Sequence, residues 1–145
     1  MATSSESPHA LEPTEPPKYL YKLIPSDAAP PDPMPVTLPL SELDAADGFI
    51  HVSTANQVPT TARLYFPQET VLYLARIEYP NVRQHVRWEV LGGILCALLY
   101  NGPRLGSAEI ESVKKLERKG GNGDVEEETW DQVFHKHDGE GWLVW

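Results

Sequence analysis

The segment DGFIHVSTANQV, residues 47–58, sets a histidine inside an apolar run and follows it with two hydroxyl residues. Side chains alternate across a strand. Read as a short strand, FIHVS (49–53) puts Ile50 and Val52 on one face and Phe49, His51 and Ser53 on the other. The first face is plain core. The second joins an imidazole to a hydroxyl where strand gives way to helix. TANQVPTTARLYF (54–66) reads as that helix, with Thr54 as its N-cap and Pro59 placed to kink or restart it. A helix start exposes unpaired amides with partial positive charge, which suits a polar or anionic ligand. His51 is then either a site residue with Ser53 and Thr54 beside it, or a partly buried histidine satisfied within the fold beside an ordinary cap.

Outward from this segment the chain reads as mixed α and β, weighted to β. YLYKLI (19–24) alternates well enough for a first strand, and TVLYLARIE (70–78) is the strongest strand signal. HVRWEVL (85–91) and ILCALLY (94–100) are two more strand candidates, parted by Gly92-Gly93, which suits a tight turn. SAEIESVKKLER (107–118) begins like a helix and continues like a strand. Ten of the 14 prolines precede residue 40. Residues 1–17 read as a disordered, proline-rich tail, and 25–39 as a long surface loop, because proline supplies no amide donor. The domain reading is therefore a tail (1–17), a single α+β core (18–118) and an acidic C-terminal extension (119–145). The extension holds seven acids against two lysines. Its GGNG reads as a hinge and VEEETWDQVF as a short amphipathic helix. Its apolar end, GWLVW, is expected to dock on the body or on a partner.

The chain has 145 residues and a net charge of −9. That balance disfavours nucleic acid or an anionic membrane as the main partner. Cys96 is the one cysteine, so no intramolecular disulfide forms, in keeping with a reducing compartment. No apolar run approaches the ~20 residues a membrane helix needs, and the first residues lack a secretory apolar region. The expected setting is intracellular and cytoplasmic, without a membrane. Oligomeric state is not legible.

Other motifs are weaker. RWE places Arg87 and Glu89 on one strand face with Trp88 opposite; Glu89 is a catalytic candidate or a cross-strand ion-pair partner. His135 and His137 have strand spacing without a clear third ligand, so no metal is expected. There is no nucleophile elbow, no P-loop and no dinucleotide fingerprint after a strand. Cys96 sits in an apolar strand and reads as core.

Tyr21-Lys22-Leu23, then Asp47 to Thr54 with Gln57, Leu72 to Ile77, Trp88-Glu89 and Leu98 to Pro103 together resemble domain-of-unknown-function family 952 over roughly residues 19–113. The DGFIHVST…Q block is the specific part. That family looks like a compact ADP-ribosyltransferase, which implies a small split antiparallel β-sheet, few short helices and a cleft that grips NAD in some relatives. His51 is similar in placement to the second conserved histidine of the RNA 2′-phosphotransferase branch, and Lys22 falls where that branch has its first. Two positions depart from the family pattern. Leu98 stands where a histidine is usual, and Asn101 is inserted before Gly102.

The resemblance implies NAD or a related nucleotide as ligand. His51 and Glu89 are the catalytic candidates. Tyr21, Lys22, Ser53, Thr54, Gln57, Trp88 and Tyr100 are the ligand-binding candidates, Tyr21 or Tyr100 by stacking. Two further readings stand beside an enzyme: a non-catalytic metabolite pocket, and an interaction module working through its proline-rich and acidic ends.

Overall fold

A computed structural model describes residues 9–100, 104–120, 126–137 and 140–145. Among the described residues, six strands form two antiparallel three-stranded sheets. In the first, β1 (Tyr19–Pro25) and β6 (Ile110–Glu117) flank β3 (Val71–Glu78). In the second, β2 (Ile50–His51) and β4 (Val86–Leu91) flank β5 (Ile94–Leu99). The sheets meet at one backbone pair, in which the Tyr21 and Ser53 amides each donate to the other's carbonyl at 2.8 Å.

The β1 register pairs Tyr21 with Arg76 and Leu23 with Leu74. Their face packs under Val58, Ala62 and Leu116. In the second sheet, Ile50, Leu99 and Val86 align across the three strands, and all three are buried in a core with Leu20, Ile77, Tyr79 and Trp88. Every ~25 Å² of apolar surface removed from water in these two cores contributes about 0.6 kcal/mol, an upper bound. Gly92 and Gly93, at φ 59° and 80°, close the β4–β5 hairpin; left-handed backbone at two successive residues is the turn that matches strand twist.

Helix α1 (Glu42–Asp47) starts at Ser41, whose hydroxyl accepts the Asp44 amide at 3.1 Å, and stops at Gly48 with φ 78°. The expected helix 54–66 is divided. A 3₁₀ turn covers Ala55–Gln57 and α2 covers Val58–Tyr65, with Pro59 in its first turn where an amide is dispensable. The Thr54 hydroxyl does not cap; it donates to the Asn56 side-chain carbonyl at 2.6 Å. The expected strand 49–53 is only two residues long, with Ser53 contributing the bridge to β1. Residues 107–109 form a turn rather than a helix start, and β6 follows. A four-residue helix, α3 (Tyr79–Val82), leads into β4.

Helix α4 (Trp130–Lys136) begins with a complete capping box between Thr129 and Gln132. Trp130, Val133 and Phe134 join the core beneath β1 and β3. The tail GWLVW folds back onto its own chain. The Tyr21 hydroxyl donates to the Trp142 carbonyl at 2.7 Å and accepts the Val144 amide at 2.9 Å. Residues 9–17, expected as a loose tail, lie against the body: Arg83 grips the Glu12 carboxylate at 2.8 and 2.9 Å, and the Tyr79 hydroxyl donates to it. The rest of the expected tail and the Gly121–Gly123 part of the expected hinge lie outside the described residues. No helix among the described residues is long and apolar enough to cross a membrane.

Candidate functional site

Directly opposite residues in an antiparallel pair share a face. His51, Leu98 and Arg87 therefore form one row on the outer face of the second sheet, and Cys96 with Glu89 the next row. Phe49 and Tyr100 extend that face. Their rings lie 5.2 Å apart, the Phe49 ring is 4.6 Å from the His51 imidazole, and the Arg87 guanidinium sits 5.8 Å from the Tyr100 ring. Imidazole, two aromatic rings and a guanidinium thus run in a continuous string. Tyr100 is 38% exposed and the Arg87 side chain 57%.

A carboxylate lies beneath the imidazole. Asp44, on α1, is buried to 2% exposure. Its Oδ1 accepts the His51 amide at 3.0 Å and meets His51 Nδ1 at 2.7 Å, while Oδ2 accepts Lys22 Nζ at 2.8 Å. Lys22 also donates to the His51 carbonyl at 3.1 Å. Burial alone would raise the Asp44 carboxyl, yet hydrogen bonds from Lys22 and His51 hold it below the usual carboxylate range. The outer nitrogen, His51 Nε2, faces the exposed Asp47 carboxylate at 3.0 Å.

The remaining candidates divide. Lys22 is drawn to His51, but as the partner of Asp44 rather than as a free ammonium. Glu89 lies on the His51 face, 3.9 Å from Arg87, with 40% of its side chain exposed. Tyr100 is on that face as a stacking surface. Tyr21 is not: it is 0% exposed, and burial raises its phenol above the ordinary value. Trp88 is also core, 3% exposed, with its indole N–H donating to the Tyr79 hydroxyl at 3.0 Å. Ser53 and Thr54 are buried, Ser53 Oγ lying 3.2 Å from Thr61 Oγ1. Gln57 ties the start of α2 to the sheet by donating to the Leu95 carbonyl at 2.8 Å. Ser53, Thr54 and Gln57 thus support the site's frame.

Sequence does not single out Asp44; it names Phe49 and Arg87 only as sharing strand faces with His51 and Glu89, and Asp47 only as part of the DGFIHVST block. SELD (41–44) carries a helix-start signature, which locates α1. That Asp44 turns inward depends on Lys22 and His51 arriving from other elements.

No group of three or more His, Cys, Asp or Glu among the described residues is arranged to hold a metal. His135 and His137 lie at the end of α4, not on a strand, and His137 Nδ1 meets Glu140 at 2.8 Å. Cys96 is half-buried, and burial raises its thiol, which lowers its fraction as nucleophilic thiolate. A cavity of about 50 Å³ between α4 and the first sheet, lined by Leu74, Phe134 and Trp142 among others, is too small for a nucleotide.

A family model for proteins of unknown function, DUF952, matches residues 33–113, and the chain belongs to that family. The match spans part of the proline-rich loop, α1, all three strands of the His51 row and the start of β6. Among solved structures the chain is similar to protein CC0527 of Caulobacter crescentus and to a double mutant of it. Each is 27% identical, with a TM-score of 0.60 over 70% of this chain and 88% of the other. No curated protein matches the chain.

Proposed function

We propose that this is an ADP-ribosyltransferase-like domain that receives NAD or a related nucleotide on the outer face of the second sheet, around His51. The observation that carries the reading is the unbroken string His51–Phe49–Tyr100–Arg87. A dinucleotide presents planar rings, hydroxyls and phosphates in succession. Aromatic faces stack its rings, a guanidinium meets its phosphates with fork geometry, and an imidazole hydrogen-bonds a ribose hydroxyl. For cleavage of the nicotinamide–ribose bond, positive charge builds on the ribose, and a carboxylate aimed at it lowers the barrier. Glu89 is the carboxylate on this face, and His51 the polar clamp.

A second reading, binding without turnover, is favoured by Leu98. It occupies the middle of the His51–Leu98–Arg87 row, is 4% exposed, and brings no polar group to the centre of the face.

One experiment separates the outcomes. The full chain is incubated with millimolar NAD, and both released nicotinamide and the melting temperature are measured. Release supports the enzyme. A raised melting temperature without release supports the second reading, since ligand at a hundred times its Kd adds about 2.7 kcal/mol to native stability. Neither release nor a shift overturns both.

A further inference from the structure

We propose that Asp44 is a positioning residue: it holds the His51 imidazole with Nδ1–H turned inward, so that Nε2 is the atom offered at the surface. The inference deepens the nucleotide-site reading and rests on it only for the meaning of Nε2.

Three donors converge on this one carboxylate: Lys22 Nζ, the His51 amide and the His51 ring. It is held below the usual carboxylate range and is therefore an acceptor at neutral pH. The ring lies between two carboxylates, Asp44 at 2.7 Å from Nδ1 and Asp47 at 3.0 Å from Nε2. The Asp44 side chain is 3% exposed and that of Asp47 40%, so water screens the Asp47 contact more strongly, and a neutral ring keeps its one proton on the nitrogen facing the buried acceptor, Nδ1. The hydrogen bond from the His51 backbone amide to the same oxygen holds that oxygen in place beside the ring. Free neutral imidazole in a peptide prefers its proton on Nε2, so this arrangement imposes the opposite tautomer. A buried ion pair tying β1 to α1 would need only Lys22 and Asp44. The 2.7 Å ring contact is additional, and it acts on the imidazole of the row.

The full chain, labelled with ¹⁵N, tests this without any ligand. Long-range proton–nitrogen correlations report which ring nitrogen of each histidine carries a proton, and His51 is assigned by the loss of its signals in His51→Asn. At a pH well above that of a free histidine, His51 should be protonated at Nδ1, with a downfield proton in slow exchange. Asp44→Asn, whose amide has one acceptor oxygen for three donors, should lose that downfield proton. A wild-type ring protonated on Nε2 alone overturns the proposal, as does an unchanged ring in a folded Asp44→Asn. Should Asp44→Asn not fold, the wild-type tautomer decides. NAD titration is the second arm. Loss of affinity in Asp44→Asn should vanish in the His51→Asn background if Asp44 acts through His51; equal losses in both backgrounds overturn it. Absence of any NAD binding defeats the nucleotide reading and leaves the tautomer result standing.

Discussion

At the scale of single residues, Asp44 concentrates the electrostatics of the site. Its folded-state carboxyl is lowered below its unfolded value, so its contribution is present above the ordinary carboxylate pKa and is lost as pH falls through the lowered one. Breaking a buried pair leaves the other charge uncompensated, at a cost of about 3 kcal/mol. Asp44→Asn should therefore lose about that much in urea unfolding at neutral pH and show a flatter acid limb than wild type. Asp47 acts in the opposite sense. It is 3.0 Å from Nε2, where it competes with a ribose hydroxyl for the imidazole and adds negative charge to a face that would receive an anionic ligand. On the nucleotide reading, Asp47→Asn should tighten NAD binding by about two- to fivefold, the scale of one exposed charge. Calorimetric titration checks this, and weaker binding would show that Asp47 contributes a ligand contact of its own. Sequence displayed His51 because an imidazole interrupts an apolar alternation. It did not display Asp44, which sits among exposed acids in a polar helix and differs from them only in what it touches.

At the scale of elements, the strands were legible and the short elements were not. β1, β3, β4 and β5 carry alternation or continuous β-branched runs, and a period of two is a local property. β2 is two residues long, below the length at which any period can be read. Its place is set by pairing with β5 on one side and by the Ser53–Tyr21 bridge beyond it. The proline-rich loop is ordered by a different device. Leu38 donates to the Leu105 carbonyl and Ser107 to the Pro35 carbonyl, both at 2.8 Å. Gly106 lies beneath them, where an added Cβ would stand 1.9 Å from the Val36 carbonyl oxygen. That contact is with backbone, which cannot swing aside. Gly106→Ala should destabilise the fold by about 1–3 kcal/mol, the usual scale of overpacking. A urea midpoint equal to wild type would show that the loop is not seated there.

At the scale of the whole molecule, the described segments 9–17 and 140–145 are both fastened to the body. Arg76 lies between the Tyr19 and Trp142 rings, 4.4 and 4.7 Å from their centres, and pairs with Glu111 at 2.8 Å. The Trp145 indole donates to the Glu15 carbonyl at 2.8 Å, joining the last residue to the N-terminal segment. Trp142→Ala removes a half-buried ring and its cation contact, and should cost about 2 kcal/mol. It should leave the His51 ring signals in place, because Tyr21 and Lys22 leave β1 on opposite faces. The N-terminal attachment depends on acid conditions. The Arg83 guanidinium holds Glu12 down to about 2. The grip is therefore intact above the ordinary glutamate range and fails as pH falls toward 2. Protection of segment 9–17 from proteolysis should show that dependence, and Glu12→Gln should remove it.

The sequence by itself determined the alternating strands, the hairpin glycines and the marked position of His51. These depend on neighbours one to four residues away, which the chain order displays. Only the tertiary structure decided that Tyr21 and Trp88 belong to the core, that the acidic extension contributes Trp130 and Phe134 to the body, and that Asp44 and Lys22 close on His51. Those outcomes depend on burial and on charges brought together across 22 and 29 residues of chain, where neither composition nor period carries a signal.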